Sequence, residues 1–397
     1  MISKNLLVAS LATLPLVVSL HAGSPLLKLT DDGSASIFFV ADASAQFSDN
    51  IFYRADKTSD GIYTLAPGLN LVAGGEGNSK FNLVVKEALT AYWNNTQLNN
   101  QRTLVDATYK YDAGQAFKAE LSAGYHQYVQ PSNQTAVAGD IVKNDAYNAG
   151  VNAEYRVTEK STVTVGGTYN GIRYTNYQGL FNDQDAFGIP VSWLYSVTDK
   201  LDLGFMYSYG YTDLYKNDTQ SGAGFHDGNQ QTHFGGLRAR GSITEKLKLE
   251  ANAGIGYSEL KSVFVGAPTE DNTTFNFNLT STYAVTEKLT ASLSGGRNFS
   301  VGAQGQQITS TNGLLGLDYA ISEQWSAGAN TGYTNQQFAG AGAGTDRIFN
   351  AGANVTFKPN KYWNLSLAYT YLNDDTTRPG ADDFDNNVVT LSASFRY

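Results

Sequence analysis

The sequence predicts an all-β fold: a transmembrane up-and-down antiparallel β-barrel of about 18 strands, with 16 as the alternative. Three observations predict it. The first is a turn that keeps returning. It reads Val157-Thr158-Glu159-Lys160, Val197-Thr198-Asp199-Lys200, Ile243-Thr244-Glu245-Lys246 and Val285-Thr286-Glu287-Lys288. Ile321-Ser322-Glu323-Gln324 is a weaker copy, and Phe357-Lys358-Pro359-Asn360-Lys361 holds the next place. The spacings are 40, 46, 42, 36 and 36 residues. A period in this range marks a repeated supersecondary unit. The second observation is the alternating run after each turn. Beyond Lys200, Leu201, Leu203, Phe205, Tyr207, Tyr209 and Tyr211 alternate with Asp202, Gly204, Met206, Ser208, Gly210 and Thr212. Period-2 alternation is a strand with one apolar face, and here the other face is small and polar. The third is the chain's end. Val389, Leu391, Ala393, Phe395 and Tyr397 alternate with polar residues and finish on an aromatic. Phe395 and Tyr397 resemble the C-terminal signal read by the outer-membrane barrel assembly machinery.

Composition agrees. The chain has 397 residues, 40 Gly, 25 Tyr and 20 Phe but 8 Pro, which suits many strands with aromatic girdles. With no Cys, neither a disulfide framework nor a thiolate metal site is available. The net charge of −9 and pI of about 5.0 argue against a nucleic-acid partner, which needs a basic face. Lys4 followed by the apolar run 6–20 and Leu20-His21-Ala22 reads as a signal peptide over residues 1–22. Residues 23–35 then form a short periplasmic segment, and residues 36–397 the outer-membrane barrel. No later apolar run is long enough for a membrane helix.

The strands come in order. Residues 37–47 open the wall, with Asp42, Ser44 and Gln46 inward. Residues 63–71 come next; Pro67 cannot donate to a ladder and predicts a bulge or local break. In residues 81–93, alternation puts Glu87 on the lipid face, which predicts a bulge or a position near an interface. Residues 103–111 lead to Asp112-Ala113-Gly114-Gln115, which takes the repeated turn's place. Residues 117–128, 147–157, 163–169, 187–197, 201–211, 234–243 and 247–257 continue the meander. Residues 275–285, 289–299, 314–321, 325–333, 349–357, 363–371 and 388–397 complete it. The short turns are periplasmic. The long loops, including 130–143, 216–230, 340–346 and 373–387, are extracellular.

Little in this chain points to catalysis, a cofactor or a metal. Beyond the signal peptide the histidines are His126, His226 and His233, and no motif joins them to a nucleophile. Asp382-Asp383-Phe384-Asp385-Asn386-Asn387 lacks the Gly and distal Glu of a calcium loop and reads as a solvated acidic stretch. The inward charges say more. By alternation Lys118, Glu120, Glu154, Arg156, Asp202, Arg238, Arg240, Lys248 and Glu250 line the interior. Mixed sign argues against a single-ion filter. Arg156, Arg238 and Arg240 fall near the periplasmic rim. A wall salt bridge is expected for Arg156, beside Glu154. Asp202 and Glu250 oppose them from near neighbouring turns, but Arg238 and Arg240 have no carboxylate on their own strand and are expected to meet an anionic solute or an acidic polymer.

Asp49-Asn50-Ile51, Ser59-Asp60 and Leu65-Ala66-Pro67-Gly68-Leu69 resemble the opening of the family known as putative β-barrel porin type 2. The specific likeness covers residues 37–71. It implies an outer-membrane barrel, and members are often encoded with exopolysaccharide export machinery. The expectation is a passive porin-like conduit for small solutes or an exported polysaccharide. Its partners would be outer-membrane lipid, the assembly machinery and polysaccharide export components. A structural barrel with a blocked lumen is the alternative, and a barrel enzyme the third.

Overall fold

The computed structural model describes residues 25–114, 116–131, 137, 140–215, 226–340 and 342–397. The expected signal peptide lies outside these residues, as do most of loop 216–230 and part of loop 130–143.

A short strand β1 (Leu27–Lys28) pairs back onto β2 (Ala35–Ser48). The wall continues through β3 (Asp60–Ala73), β4 (Ser79–Tyr92), β5 (Asn100–Asp112), β6 (Phe117–Pro131), β7 (Ile141–Thr158) and β8 (Ser161–Tyr174). Then come β9 (Asp183–Thr198), β10 (Leu201–Tyr215), β11 (Gly228–Ser242), β12 (Leu247–Lys261), β13 (Glu270–Ala284) and β14 (Leu289–Val301). The last five are β15 (Gln307–Ala320), β16 (Trp325–Phe338), β17 (Gly344–Phe357), β18 (Trp363–Thr376) and β19 (Phe384–Arg396). Each wall strand pairs antiparallel with the next, and β19 pairs with β2. Eighteen strands thus close the barrel, as the repeat predicts. Closure matters because an open edge has no hydrogen-bond partners in lipid.

The repeated turn has a simple cause. The Thr158, Thr198, Thr244 and Thr286 hydroxyls each accept the backbone N–H two residues on, at 3.2–3.3 Å. Ser322 does the same, and the Asn360 and Asp112 side chains replace it in the variant turns. A side-chain oxygen two residues before an N–H mimics a backbone turn, so Thr, Ser, Asn and Asp are the types selected. Outside, Phe205, Leu237 and Ile255 are 62%, 62% and 58% exposed, facing where lipid lies. Their strand neighbours Asp202 and Arg240 hydrogen-bond on the inside. The predicted register therefore holds on β10 and β11.

Closure uses both chain ends. Val388 to Arg396 pair with Ser48 to Val40. Tyr397 and Phe39 exchange backbone hydrogen bonds of 2.9 and 2.7 Å. The Phe395 ring packs 4.7 Å from Trp363 and 6.2 Å from Phe39. Inside, the Arg396 guanidinium lies 4.0 Å over the buried Phe38 ring.

Pro67 interrupts the β3–β4 ladder without shifting it: Leu65 pairs with Leu89 and Gly68 with Lys86 in one register. No bulge forms at Glu87. That carboxylate stands on the outer face and accepts a 2.8 Å bond from the Thr103 hydroxyl. A larger irregularity lies between β13 and β14. Their ladder runs only from Ala284 and Thr290 up to Phe277 and Arg297. Above that level β14 stays paired with β15, to Val301 and Gln307. The wall opens only between β13 and β14, because β15 stays paired with β16 up to Ile308 and Phe338.

Candidate functional site

The site is the lumen wall, whose two parts differ. From β5 to β12 the inward positions carry charges of both signs, and most are tied together. Lys110 and Glu120 are directly opposite across β5 and β6, 3.3 Å apart. Lys118 and Asp112 are likewise opposite, at 3.5 Å. His126 contacts Asp106 at 3.0 Å and Tyr128 at 3.2 Å.

The strongest cluster gathers strands β7 to β12 near the periplasmic rim. Arg240 binds Glu154 of β7 at 2.6 Å and Asp202 of β10 at 3.2 Å. Asp202 also accepts a 2.6 Å bond from Ser196. Arg238 binds Glu250 of β12 at 2.8 Å, Ser192 of β9 at 2.8 Å and Thr164 of β8 at 3.3 Å. Such reach needs a sharply bent wall. Gly204 supplies the bend on β10: it sits opposite Arg238 and Leu194, and a Cβ there would meet the Trp193 carbonyl at 1.8 Å. Gly in a strand commonly marks a tight corner or close backbone approach.

This geometry corrects one expectation. Arg238 and Arg240 are not held free for a solute; carboxylates from neighbouring strands take up both guanidiniums. Alternation along one strand shows facing but cannot show what the next three strands present. Glu154, two residues before Arg156 on β7, is bound by Arg240. Lys248, opposite Ser242 and exposed, makes no ion pair among the described residues.

From β13 to β18 the inward face is nearly neutral. Its charges are Glu270, Asp346 and Asp374 at the extracellular end and Asp318 near the periplasmic end. Between them stand amides, hydroxyls and glycines. Asn252, Asn278 and Asn298 link β12, β13 and β14 by side-chain amide bonds of 3.1–3.3 Å. Thr356 donates to Ser366 across β17 and β18. The side-chain amide oxygens of Asn276 and Asn350 have no hydrogen-bond partner among the described residues.

The sequence matches the family described as "Putative beta-barrel porin 2" over residues 37–397. The chain belongs to this family. It is a porin-like β-barrel of the bacterial outer membrane. The residues that carried the resemblance now have a physical role. In this porin-family barrel Asp49 and Asn50 fasten the extracellular end of the closing strands, and Asp60 ties the start of β3 to the loop after β4. Asn50 is fully buried, and its amide donates to the Arg54 and Asp385 carbonyls. Asp49 accepts from the Asn387 backbone and side chain at 2.7 and 2.8 Å, and Lys57 joins Asp49 to Asp385. Asp60, also buried, accepts from Gly61, Asn94 and Asn95. The acidic stretch 382–387 is part of this fastening: Asp382 meets Arg54, and the buried Asn386 accepts from Ser48.

No curated protein matches the sequence. Solved structures share the fold at low identity. The FrpB iron transporter of Neisseria meningitidis aligns with a TM-score of 0.53 and 8% identity, over 90% of this chain and 81% of that one. The ferric citrate transporter FecA in its unliganded form gives 0.52 and 10%, over 91% and 78%. The outer-membrane protein OpdK of Pseudomonas aeruginosa gives 0.47 and 12%, over 91% and 99%.

Sequence reasoning missed the fastening role of Asn50 and Asp60, because Asn50 sits in a loop and Asp60 is the first residue of β3, where alternation is silent. It also missed a buried pair, Asp346 with Arg378 at 2.7 Å, with Arg378 lying 4.4 Å over the Phe338 ring. Arg378 stands after β18 in a loop, so no periodicity pointed to it.

Proposed function

We propose that this barrel is a passive conduit for small polar solutes across the outer membrane, with an exported polysaccharide as the candidate larger cargo. The observation that carries the reading is the lumen wall. Barrels of this strand number leave an aqueous channel. Here that channel has a tied-down charged side and a neutral amide and hydroxyl side. Charges locked in wall pairs do not form a strong single-ion filter, whereas polar neutral groups suit hydrated, uncharged solutes. A conduit is favoured over an enzyme because His126 is engaged by Asp106 and Tyr128, and no Ser or Cys joins them among the described residues. The test is single-channel recording in planar bilayers. The expected result is stepwise, ohmic conductance with weak ion preference. The rival reading is a blocked lumen, favoured by the parting of β14 from β13 above Phe277 and Arg297 and by the Asn182–Ala303 backbone bond across the interior. A folded, inserted protein that never conducts would select it.

A further inference from the structure

The upper β14–β15 hairpin contradicts its own alternation. Below the split, outward positions are apolar: Leu293, Leu315, Leu317 and Tyr319 are exposed. Above it, the same parity reads Arg297, Phe299, Val301, Gln307, Thr309 and Thr311. Gln307 and Thr309 are buried, at 3% and 6% exposure. The inside of the barrel covers them. Thr309 accepts from Asn272 of β13, and Gln307 donates to Ser258 of β12. Gln230 of β11 donates to the Ser300 carbonyl. Val301 packs on Leu214 of β10, Leu260 of β12 and Val263. The tip goes further. The Ala303 carbonyl accepts from the Asn182 backbone at 2.9 Å, and Ala303 clusters with Phe181 and Ile172. The hairpin therefore parts from β13 above Phe277 and Arg297, while β15 stays paired with β16 up to Ile308 and Phe338. It lies with its outer face against the inner faces of β10 to β13, and touches the loop that joins β8 to β9. An outward face buried on four inner faces fits only an inward-folded hairpin.

We propose that the end of this hairpin is the pore's constriction: an uncharged strap that sets solute size and favours neutral polar solutes over ions. The proposal rests on the conduit reading. Residues 298–312 contain no Lys, Arg, Asp or Glu, while Gln, Ser, Thr and Asn dominate them. A constriction acts through its width and the groups that line it; residues 307–310 are buried, so the half-buried tip amides Gln304 and Gln306 are the groups that meet a solute. Apolar contacts and hydrogen bonds dock it on the wall strands.

Three variants test this in the full chain. In the first, residues 299–309 are replaced by Asn-Gly, joining Asn298 and Ser310, which already pair. Single-channel conductance is expected to rise about twofold or more, and liposome swelling should admit larger neutral sugars. In the second, Gln304→Lys puts one charge on the tip and should move the reversal potential in a KCl gradient toward anions. The third pairs Asn182→Cys with Ala303→Cys, in a chain with no other Cys. A disulfide or short bifunctional maleimide should bridge them in outer-membrane vesicles, which tests placement even if the shortened hairpin fails to insert. Unchanged conductance in the inserted, conducting first variant overturns the proposal. So does an unchanged reversal potential in the second, or no bridging in the third. A silent parent with a conducting first variant supports the strap while removing the open-conduit reading. Silence in both removes both.

Discussion

The β5–β12 wall and the β13–β18 wall share strand length, turn chemistry and an apolar exterior, yet their interiors differ. The first carries Arg238, Arg240, Glu154, Asp202 and Glu250 in one connected cluster, with Lys110–Glu120 and Lys118–Asp112 beside it. The second carries Asn, Ser, Thr and Gly through its middle. The charged side bends at Gly204 so that arginines span several strands. The neutral side opens between β13 and β14, and the end of the β14–β15 hairpin turns inward while it stays paired to β16. Charge pairs knit one side together, while the absence of charge leaves the other free to host a folded-in segment. A charge on an outer face that turns inward to pack would need a buried partner.

The largest expected effect breaks both walls at once. Deleting residues 395–397 removes the Tyr397–Phe39 backbone bonds and the Phe395 aromatic cluster at the join. We expect periplasmic degradation with secretion intact. Normal outer-membrane levels of the truncated protein in fractionated cells would refute it.

A smaller effect separates outside from inside. Phe205→Arg places a cation among lipid-facing groups and should cost about 2–4 kcal/mol at the bilayer midplane, less toward a rim. Asn354→Arg, on the neutral inner wall, should cost well under that, because its side chain stays in water. Urea unfolding in lipid vesicles compares the two. Equal losses would mean that the two faces are not solvated differently.

The contrast between the walls is sharpened by Arg238→Ser with Arg240→Ser. The double change frees Glu154, Asp202 and Glu250 from their cations. Reversal potentials in a KCl gradient should shift toward cation preference. The barrel should still fold but at some cost in stability, since these pairs are partly buried and the freed carboxylates lose their partners. Gln304→Lys on the other side should shift the potential the opposite way.

The smallest effect concerns the extracellular fastening. Burial opposes the charge of Asp49, but hydrogen bonds from the Asn387 backbone and amide and from Lys57 outweigh it and lower its pKa. A depressed folded-state pKa gives stability that is present above the unfolded value. It is lost as pH falls through the folded one, hence below about 3.9. Asp49→Asn should flatten that acid limb in unfolding curves; an unaltered limb would show that other carboxylates set it.

The sequence by itself determined every feature with a local cause. The turn needs an oxygen two residues before an N–H, so Thr158, Thr198, Thr244 and Thr286 announced the hairpins. Lipid outside and water inside impose period 2, so Phe205 and Asp202 announced their faces and the strand number came with them. The family likeness included Asp49, Asn50 and Asp60, whose hydrogen bonds to Asn387, to Asp385 and to Asn94 and Asn95 explain why those types stand there. Tertiary structure alone decided who meets whom around the wall. Arg240 finds Glu154 over three intervening strands only because the wall bends at Gly204. The hairpin's departure at Arg297 left a trace, polar residues at outward positions 297, 307, 309 and 311. Period 2 tells which face a residue is on, however, and cannot tell what that face is pressed against. That depends on curvature and on contacts between strands far apart in the chain.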